Sequence, residues 1–173
     1  DLAYRKETGR NNQFVSYTNL SITKLNFLKY FKNLKYLNLC GQPYLTDLTG
    51  LENCNKLIEL NASYLSITNF EPFTKLNSLK TLNLHCLNTD KRLKFTPSLS
   101  MDELSNLKLE KLNLTRCHFK DISFLNKINS LKELSLFNTN FGSLNQLNNL
   151  KNLETLVVCC SDIFELSPAS FPN

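Results

Sequence analysis

The apolar residues of this chain follow two alternating rhythms. Openings of the form Leu-x-x-Leu-x-Leu occur at Leu34–Leu37–Leu39, Leu57–Leu60–Ala62, Leu79–Leu82–Leu84, Leu109–Leu112–Leu114, Leu131–Leu134–Leu136 and Leu153–Leu156–Val158. Residues two apart in an extended chain point the same way, so each opening predicts a short strand with one buried face. Each opening then gives way to apolar steps of three, as in Ile67, Phe70, Phe73, Leu76, in Phe119, Ile122, Leu125, Ile128 and in Phe141, Leu144, Leu147, Leu150. Side chains at i and i+3 eclipse in a 3₁₀ turn and nearly align in an α turn, so this half predicts 3₁₀ or single-turn α segments. The return leg holds too few residues for a long helix.

Successive openings start 23, 22, 30, 22 and 22 residues apart. A degenerate unit precedes them, with Val15 and Tyr17 where Leu is expected. Five openings follow a polar pair: Lys32-Asn33, Asn55-Lys56, Asn77-Ser78, Asn129-Ser130 and Lys151-Asn152. Asn tolerates left-handed backbone and bonds its own backbone, so these pairs predict tight turns where Gly is absent. One unit cannot bury its own Leu row, and stacked neighbours must do it for each other. The expected fold is therefore an α/β solenoid of about six to seven repeats, with a concave parallel sheet and convex 3₁₀ or short α turns. It occupies a single domain, 1–173, with repeats over 14–160 and flanks at 1–13 and 161–173. The 30-residue unit carries an insertion at 88–100 in the fourth full repeat. Its run Asp90-Lys91-Arg92-Leu93-Lys94-Phe95 reads either as a tolerated surface loop or as a basic contact loop tipped by Phe95.

Composition narrows the function classes. Hydrophobic residues are 42% and charged residues 20%, which suits a folded chain. No apolar stretch is long enough for a membrane helix. With Gly at 4 and Pro at 5, Gly-rich phosphate loops and linkers are disfavoured. Leu (35) and Asn (24) dominate, as a repeat would require. The net charge of +5 is scattered, which argues for a solvated basic surface or a contact with anions and against nucleic acid.

Repeats of this length with these openings are the signature of leucine-rich repeats. The 22-residue unit resembles the repeat class of bacterial internalins and of the nuclear regulator of protein phosphatase 1, over residues 12–166. That resemblance implies protein recognition on the concave sheet by a non-catalytic module. It specifies fold better than function. In this class position nine, counted from the first Leu, often carries an Asn whose amide bonds neighbouring backbone. Here the column reads Gln42, Leu65, Leu87, Cys117, Thr139 and Ser161, so apolar packing is expected to replace part of that ladder. No Trp is present, and no Trp-centred phosphatase contact carries over. The Asn- and Lys-rich style is also similar to secreted leucine-rich proteins of AT-rich parasites such as microsporidia. Two roles follow: a secreted, host-interacting parasite or pathogen protein, or a cytoplasmic scaffold or regulatory subunit.

The positions flanking the buried Leu of each strand should face the concavity and contact a protein partner. They are Tyr36, Asn38, Cys40; Glu59, Asn61, Ser63; Thr81, Asn83, His85; Lys111, Asn113, Thr115; Glu133, Ser135, Phe137; and Thr155, Val157, Cys159. The middle column is Asn in four consecutive units, which serves either a polar ligand or the sheet itself. Phe137, Val157 and Cys159 form an apolar patch at the C-terminal end. The tail, with Phe164, Leu166 and Phe171, either folds over that end or leaves it to pair with a second copy as a homodimer.

Chemistry finds little purchase. The motifs of Ser hydrolases, phosphate loops and zinc proteases are missing, so no enzyme and no cofactor are expected. Cys40 and Cys159 lie five repeats apart, on the order of 24 Å, beyond bridging reach. Cys54 takes a buried convex slot equivalent to Leu76 and Leu150. Cys86 and Cys117, on adjacent units, are the pair open to bridging, and the vicinal Cys159-Cys160 is disfavoured. His85, Cys86, Cys117 and His118 are the one possible zinc set, but they fall at different coil positions and read as ordinary surface and core. Sequons at Asn19, Asn61 and Asn113 are no more frequent than chance allows. The chain opens at Asp1 and its single Met is Met101, consistent with a removed leader or a trimmed chain, so a missing signal peptide does not argue for the cytosol.

Overall fold

A computed structural model describes residues 14–16, 22–67, 69–87, 101–119, 121–159 and 163–165. The six Leu openings all become strands, and so does the degenerate unit before them. The strands are β1 Phe14–Ser16, β2 Tyr36–Asn38, β3 Glu59–Asn61, β4 Thr81–Asn83, β5 Lys111–Asn113 and β6 Glu133–Ser135. Then come β7 Gly142–Ser143, β8 Thr155–Val157 and β9 Ile163–Glu165. One seven-stranded sheet runs β1-β2-β3-β4-β5-β6-β8, every neighbour parallel. Val15, Leu37, Leu60, Leu82, Leu112, Leu134 and Leu156 stand in one row across it. The longer fourth unit keeps that register, because Leu82 pairs Leu112 as Leu60 pairs Leu82.

Every return leg is 3₁₀, at Asn26–Tyr30, Leu51–Asn53, Glu71–Lys75, Asp102–Asn106, Ser123–Lys127 and Leu144–Gln146. The apolar step of three is also the hydrogen-bond step. Leu28 donates to Leu25, Phe31 to Leu28 and Leu34 to Phe31; Phe73, Leu76 and Leu79 repeat the series from Phe70. A side chain that points inward thus sits on an N–H that closes the turn, and one spacing satisfies burial and backbone together. The strand Leu rows and the 3₁₀ rows meet in one core that runs from Leu25 to Leu147. Cys54 fills its convex slot at 1% exposure. Toward the C-terminal end the core thins, and Leu150, Leu153, Leu156 and Val158 are only partly buried.

Two local expectations need correction. The polar pairs before the strands do form turns, closed by bonds such as Leu57 N–H to Cys54 and Leu131 N–H to Ile128. Their Asn residues are not left-handed, however. Apart from Gly50 (φ 110), the left-handed residues among those described come at position eight, just after β2 to β6: Gly41 (φ 71), Tyr64 (59), Cys86 (54), Arg116 (57) and Asn138 (52). Several turn Asn side chains instead bond a neighbouring coil: Asn152 Nδ2 donates to the Asn129 carbonyl one coil back at 2.6 Å, and Asn33 Oδ1 accepts from Lys56 Nζ one coil on at 2.8 Å.

The second correction concerns position nine. Leu65 and Leu87 are buried apolar fillers, as expected. Cys117 and Thr139 instead rebuild a polar ladder: Cys117 Sγ donates to the Leu84 carbonyl at 3.1 Å and Thr139 Oγ1 to that of Leu114 at 2.8 Å. Each reaches the equivalent carbonyl one coil back. Gln42, fully buried, accepts from the Ile22 N–H at 3.1 Å. A thiol, a hydroxyl and an amide therefore perform the task that Asn performs elsewhere. The insertion at 88–100, Ser161 and most of the tail lie outside the described residues. The tail's β9 pairs β7 as the next turn of the coil and does not run across the β8 edge.

Candidate functional site

The concave face is built from three columns. Position three reads Tyr36, Glu59, Thr81, Lys111, Glu133, Thr155 and position five reads Asn38, Asn61, Asn83, Asn113, Ser135, Val157. Position seven reads Cys40, Ser63, His85, Thr115, Phe137, Cys159. Strands β3 to β8 enclose a groove of ≈ 360 Å³ floored by the Asn column.

The Asn column serves the sheet. Each Oδ1 accepts the N–H two residues on: Asn38 from Cys40 (3.0 Å), Asn61 from Ser63 (3.1 Å), Asn83 from His85 (3.0 Å) and Asn113 from Thr115 (2.9 Å). The reason lies in the ladder. Past each strand, positions six and eight still donate to the next coil, as Leu39 does to Asn61 and Gly41 to Ser63. The N–H at position seven faces away from that coil, and a short amide two residues earlier reaches it. The chain can then turn inward at position eight. The acceptor half of each amide is thereby committed, and among the described residues the Nδ2 groups of Asn61, Asn83 and Asn113 make no further hydrogen bond.

The other predicted contact residues divide. Val157 (40% exposed) lines the groove and Tyr36 (37%) stands exposed on β2, one strand before it, with Glu59, Lys111, Glu133, Thr155 and Cys159 also exposed. Thr81, Cys40, His85, Ser135 and Phe137 are half-buried. Ser63 and Thr115 are buried, contrary to the expectation that they face a partner. Their hydroxyls turn to the sheet: Ser63 Oγ donates to Asn61 Oδ1 at 2.5 Å, and Thr115 Oγ1 meets Ser135 Oγ at 2.9 Å.

Charge on this side is paired across coils. Lys111 Nζ meets Glu133 at 2.6 Å, and that hydrogen bond raises the lysine above its ordinary range. Along the edge where the strands begin, Glu110 takes Lys80 at 2.7 Å and Lys132 at 3.3 Å. Those bonds hold its carboxyl below the usual range, the Lys80 bond most. Exposed pairs of this kind add little stability, but they set which charges are spent.

The two His–Cys neighbours separate. Cys117 is buried, its thiol pushed to about 12 by burial, and Cys86 is buried on the adjacent coil; the two are not bridged. His85 leaves them and packs on Tyr64, ring centroids 5.1 Å apart. Among the described residues no three His, Cys, Asp or Glu gather as a metal site.

Reading the concave columns alone passes over Tyr64 and Arg116. Both sit at position eight, exposed, on left-handed backbone that costs an L-residue roughly 1–2 kcal/mol. The same column holds Gly41 and Asn138, two residues suited to that conformation, and this was the available signal.

An open parallel sheet of in-register Leu strands backed by 3₁₀ turns, coil on coil, is a leucine-rich-repeat solenoid. Solved structures agree. Internalin C2 from Listeria monocytogenes is similar over 90% of this chain and 65% of its own, with 30% identity and a TM-score of 0.75. A leucine-rich-repeat protein of Leptospira interrogans matches 90% of this chain and 44% of its own, at 23% identity and a TM-score of 0.60. The mouse RP105/MD-1 complex contributes a chain at 26% identity and a TM-score of 0.68, over 87% of this chain and 26% of that one. The chain thus spans less than two thirds of each. No family model and no curated protein matches the sequence.

Proposed function

We propose that this chain is a non-catalytic protein-recognition module of the 22-residue internalin type, and that the partner lies along the concave sheet. The observation that carries this reading is the groove itself. Unspent amide donors of Asn61, Asn83 and Asn113 line its floor, Val157 lines its C-terminal end, and Tyr36 stands exposed on β2, the strand before it. Amides give orientation and exposed aromatic or aliphatic side chains give area, the usual division at a recognition surface. One similar structure is a complex with MD-1 and another is a plant receptor bound to a peptide hormone, the latter at 16% identity. We further propose a secreted protein of a parasite or pathogen, microsporidia included, that meets a host protein. The internalin likeness and the Asn- and Lys-rich composition support this. No helix among the described residues is long and apolar enough to cross a membrane.

The test is photo-crosslinking in host-cell extract. A crosslinker at position 83 should capture a protein that one at the convex Lys75 does not, and Tyr36→Ala should abolish that capture. Equal capture from both faces would remove the concave reading.

The C-terminal end supports a second proposal, a homodimer. Among the described residues strand β8 ends the sheet, Val157 is 40% exposed and Leu156 is only partly buried beside it. An unpaired edge with an apolar face invites a second copy. Light scattering should then report a concentration-dependent dimer that Val157→Asp and Phe137→Asp dissolve. A monomer at every concentration would exclude it.

A further inference from the structure

On the rim where the strands end, Tyr64 and His85 meet across adjacent coils, and Arg116 stands on the coil after them, where the Cys86 N–H bonds the neighbouring Thr115 carbonyl. Tyr64, half exposed, lays its ring at 35° to that of His85, and its hydroxyl stands 3.3 Å from His85 Nε2. Arg116, on the next coil, is exposed and forms no ion pair among the described residues. It lies close enough that its charge, after burial, helps hold His85 below the usual imidazole range.

The backbone makes this cluster unusual. Tyr64 and Arg116 both hold left-handed φ, at 59° and 57°. Gly or Asn would hold it without strain, as Gly41 and Asn138 do in the same column. Neither side chain recovers that strain by burial, since both are exposed. Strain kept at exposed residues is a mark of function. What these residues present is an exposed guanidinium one coil beyond an aromatic face, with the His85 imidazole on the coil between.

We propose that Tyr64, His85 and Arg116 form a contact site for an acidic segment of a protein partner. The Arg116 fork takes a carboxylate in two parallel bonds. The exposed face of Tyr64 covers the aliphatic stem beneath that carboxylate. The site rests on the reading of the chain as a recognition module, but places this contact on the rim and not on the groove floor. A single cation beside an apolar face suits one carboxylate on a peptide. Polyphosphates and sulfated glycans draw on several cations at once.

His85 adds a pH dependence. Tyr64 is the polar group that meets its ring, and Arg116 on the next coil is the charge acting on it. A carboxylate docked on Arg116 offsets that cation and favours imidazolium. Binding therefore takes up a proton and tightens as pH falls through the imidazole range.

The test is a ¹⁵N NMR titration of the full chain with a hexaglutamate peptide at about pH 7.5 and about pH 6. Saturable shifts should centre on residues 64, 85 and 116, with tighter binding at the lower pH. Arg116→Asn, which copies the unstrained Asn138, should weaken binding about ten-fold or more and leave the melting temperature unchanged or higher. His85→Gln should keep the binding and lose its pH dependence. Absence of saturable shifts, undiminished binding by Arg116→Asn, or stronger competition by pyrophosphate than by the peptide would each overturn the site. Shifts confined to Asn61, Asn83 and Asn113 would overturn the rim while leaving the concave reading intact.

Discussion

Thr139 Oγ1 reaches back one coil to the carbonyl of Leu114 at 2.8 Å, and the same carbonyl accepts the Cys117 N–H at 3.1 Å. The hydroxyl is buried and shape-matched to valine, so Thr139→Val isolates the hydrogen bond. It should cost about 1 kcal/mol in urea unfolding. Thr139→Asn, which restores an amide to this column, should recover part of that loss.

The Asn column yields a cleaner separation of structure from recognition. Asn83→Ala removes the acceptor for the His85 N–H and should cost about 1 kcal/mol. Asn83→Asp keeps an acceptor at the same place but exchanges the Nδ2 donor for a charged carboxylate oxygen, so its effect on capture reports donor loss and added charge together. Its stability should stay nearer to that of the native chain, while any partner that uses the amide donor should be lost. Unfolding curves and partner capture, run on both variants, separate the two roles.

Much of this architecture was legible because two periodicities carry it. The Leu-x-Leu step gives the strands and the step of three gives the 3₁₀ legs, since burial and hydrogen bonding share those spacings. The site was less legible. Ser63 and Thr115 sit at the same repeat position as the half-buried Cys40, His85 and Phe137, and only the local sheet decides that their hydroxyls bond the neighbouring polar column. The left-handed column was readable in Gly41 and Asn138 but masked by Tyr64, Cys86 and Arg116, whose side chains disfavour the conformation they adopt. Position nine was legible in part: Leu65 and Leu87 are the apolar replacement expected there, while the carbonyl bonds of Cys117 and Thr139 are visible only in the structure.

Gly50 is the least replaceable glycine described. Its φ is 110°, and a Cβ built there would stand 2.7 Å from the Leu25 carbonyl oxygen of the preceding coil. Gly50→Ala should cost about 3 kcal/mol, from strain and overlap together. Gly41→Ala is the control: its φ is 71° but nothing lies within 4 Å of an added Cβ. Strain alone should cost about 1 kcal/mol there. Equal losses for the two would show that coil-to-coil contact at Gly50 is looser than the geometry indicates.

The thiols should react in two classes. Burial raises Cys54 to about 11 and Cys117 to about 12, so neither supplies thiolate near neutral pH. Cys159 is exposed. Maleimide labelling followed by peptide mass analysis should modify Cys159 within minutes and leave Cys54 and Cys117 untouched until denaturant is added. Rapid labelling of Cys117 in the native state would contradict its place in the core.

His85 should lend the fold a pH dependence of definite sign. Its folded value lies below the ordinary imidazole range because of burial first and Arg116 second. Below about pH 6.5 the unfolded chain then binds more protons than the folded one, so stability falls as pH drops through that window and returns above it. Urea midpoints at about pH 5.5 and pH 7.5 should differ more for the native chain than for His85→Gln. An identical difference in both would assign the pH effect to other groups.

The thinning core beyond Leu147 has a mechanical consequence. Leu150, Leu153, Leu156 and Val158 are gripped from one side more firmly than from the other, so the last coil has the least to lose by letting go. A molecule tugged at its C-terminus should unspool from there, turn after turn, each departing loop baring the oily flank of the one behind it. Whatever clamps that end also decides how much force the rest can bear.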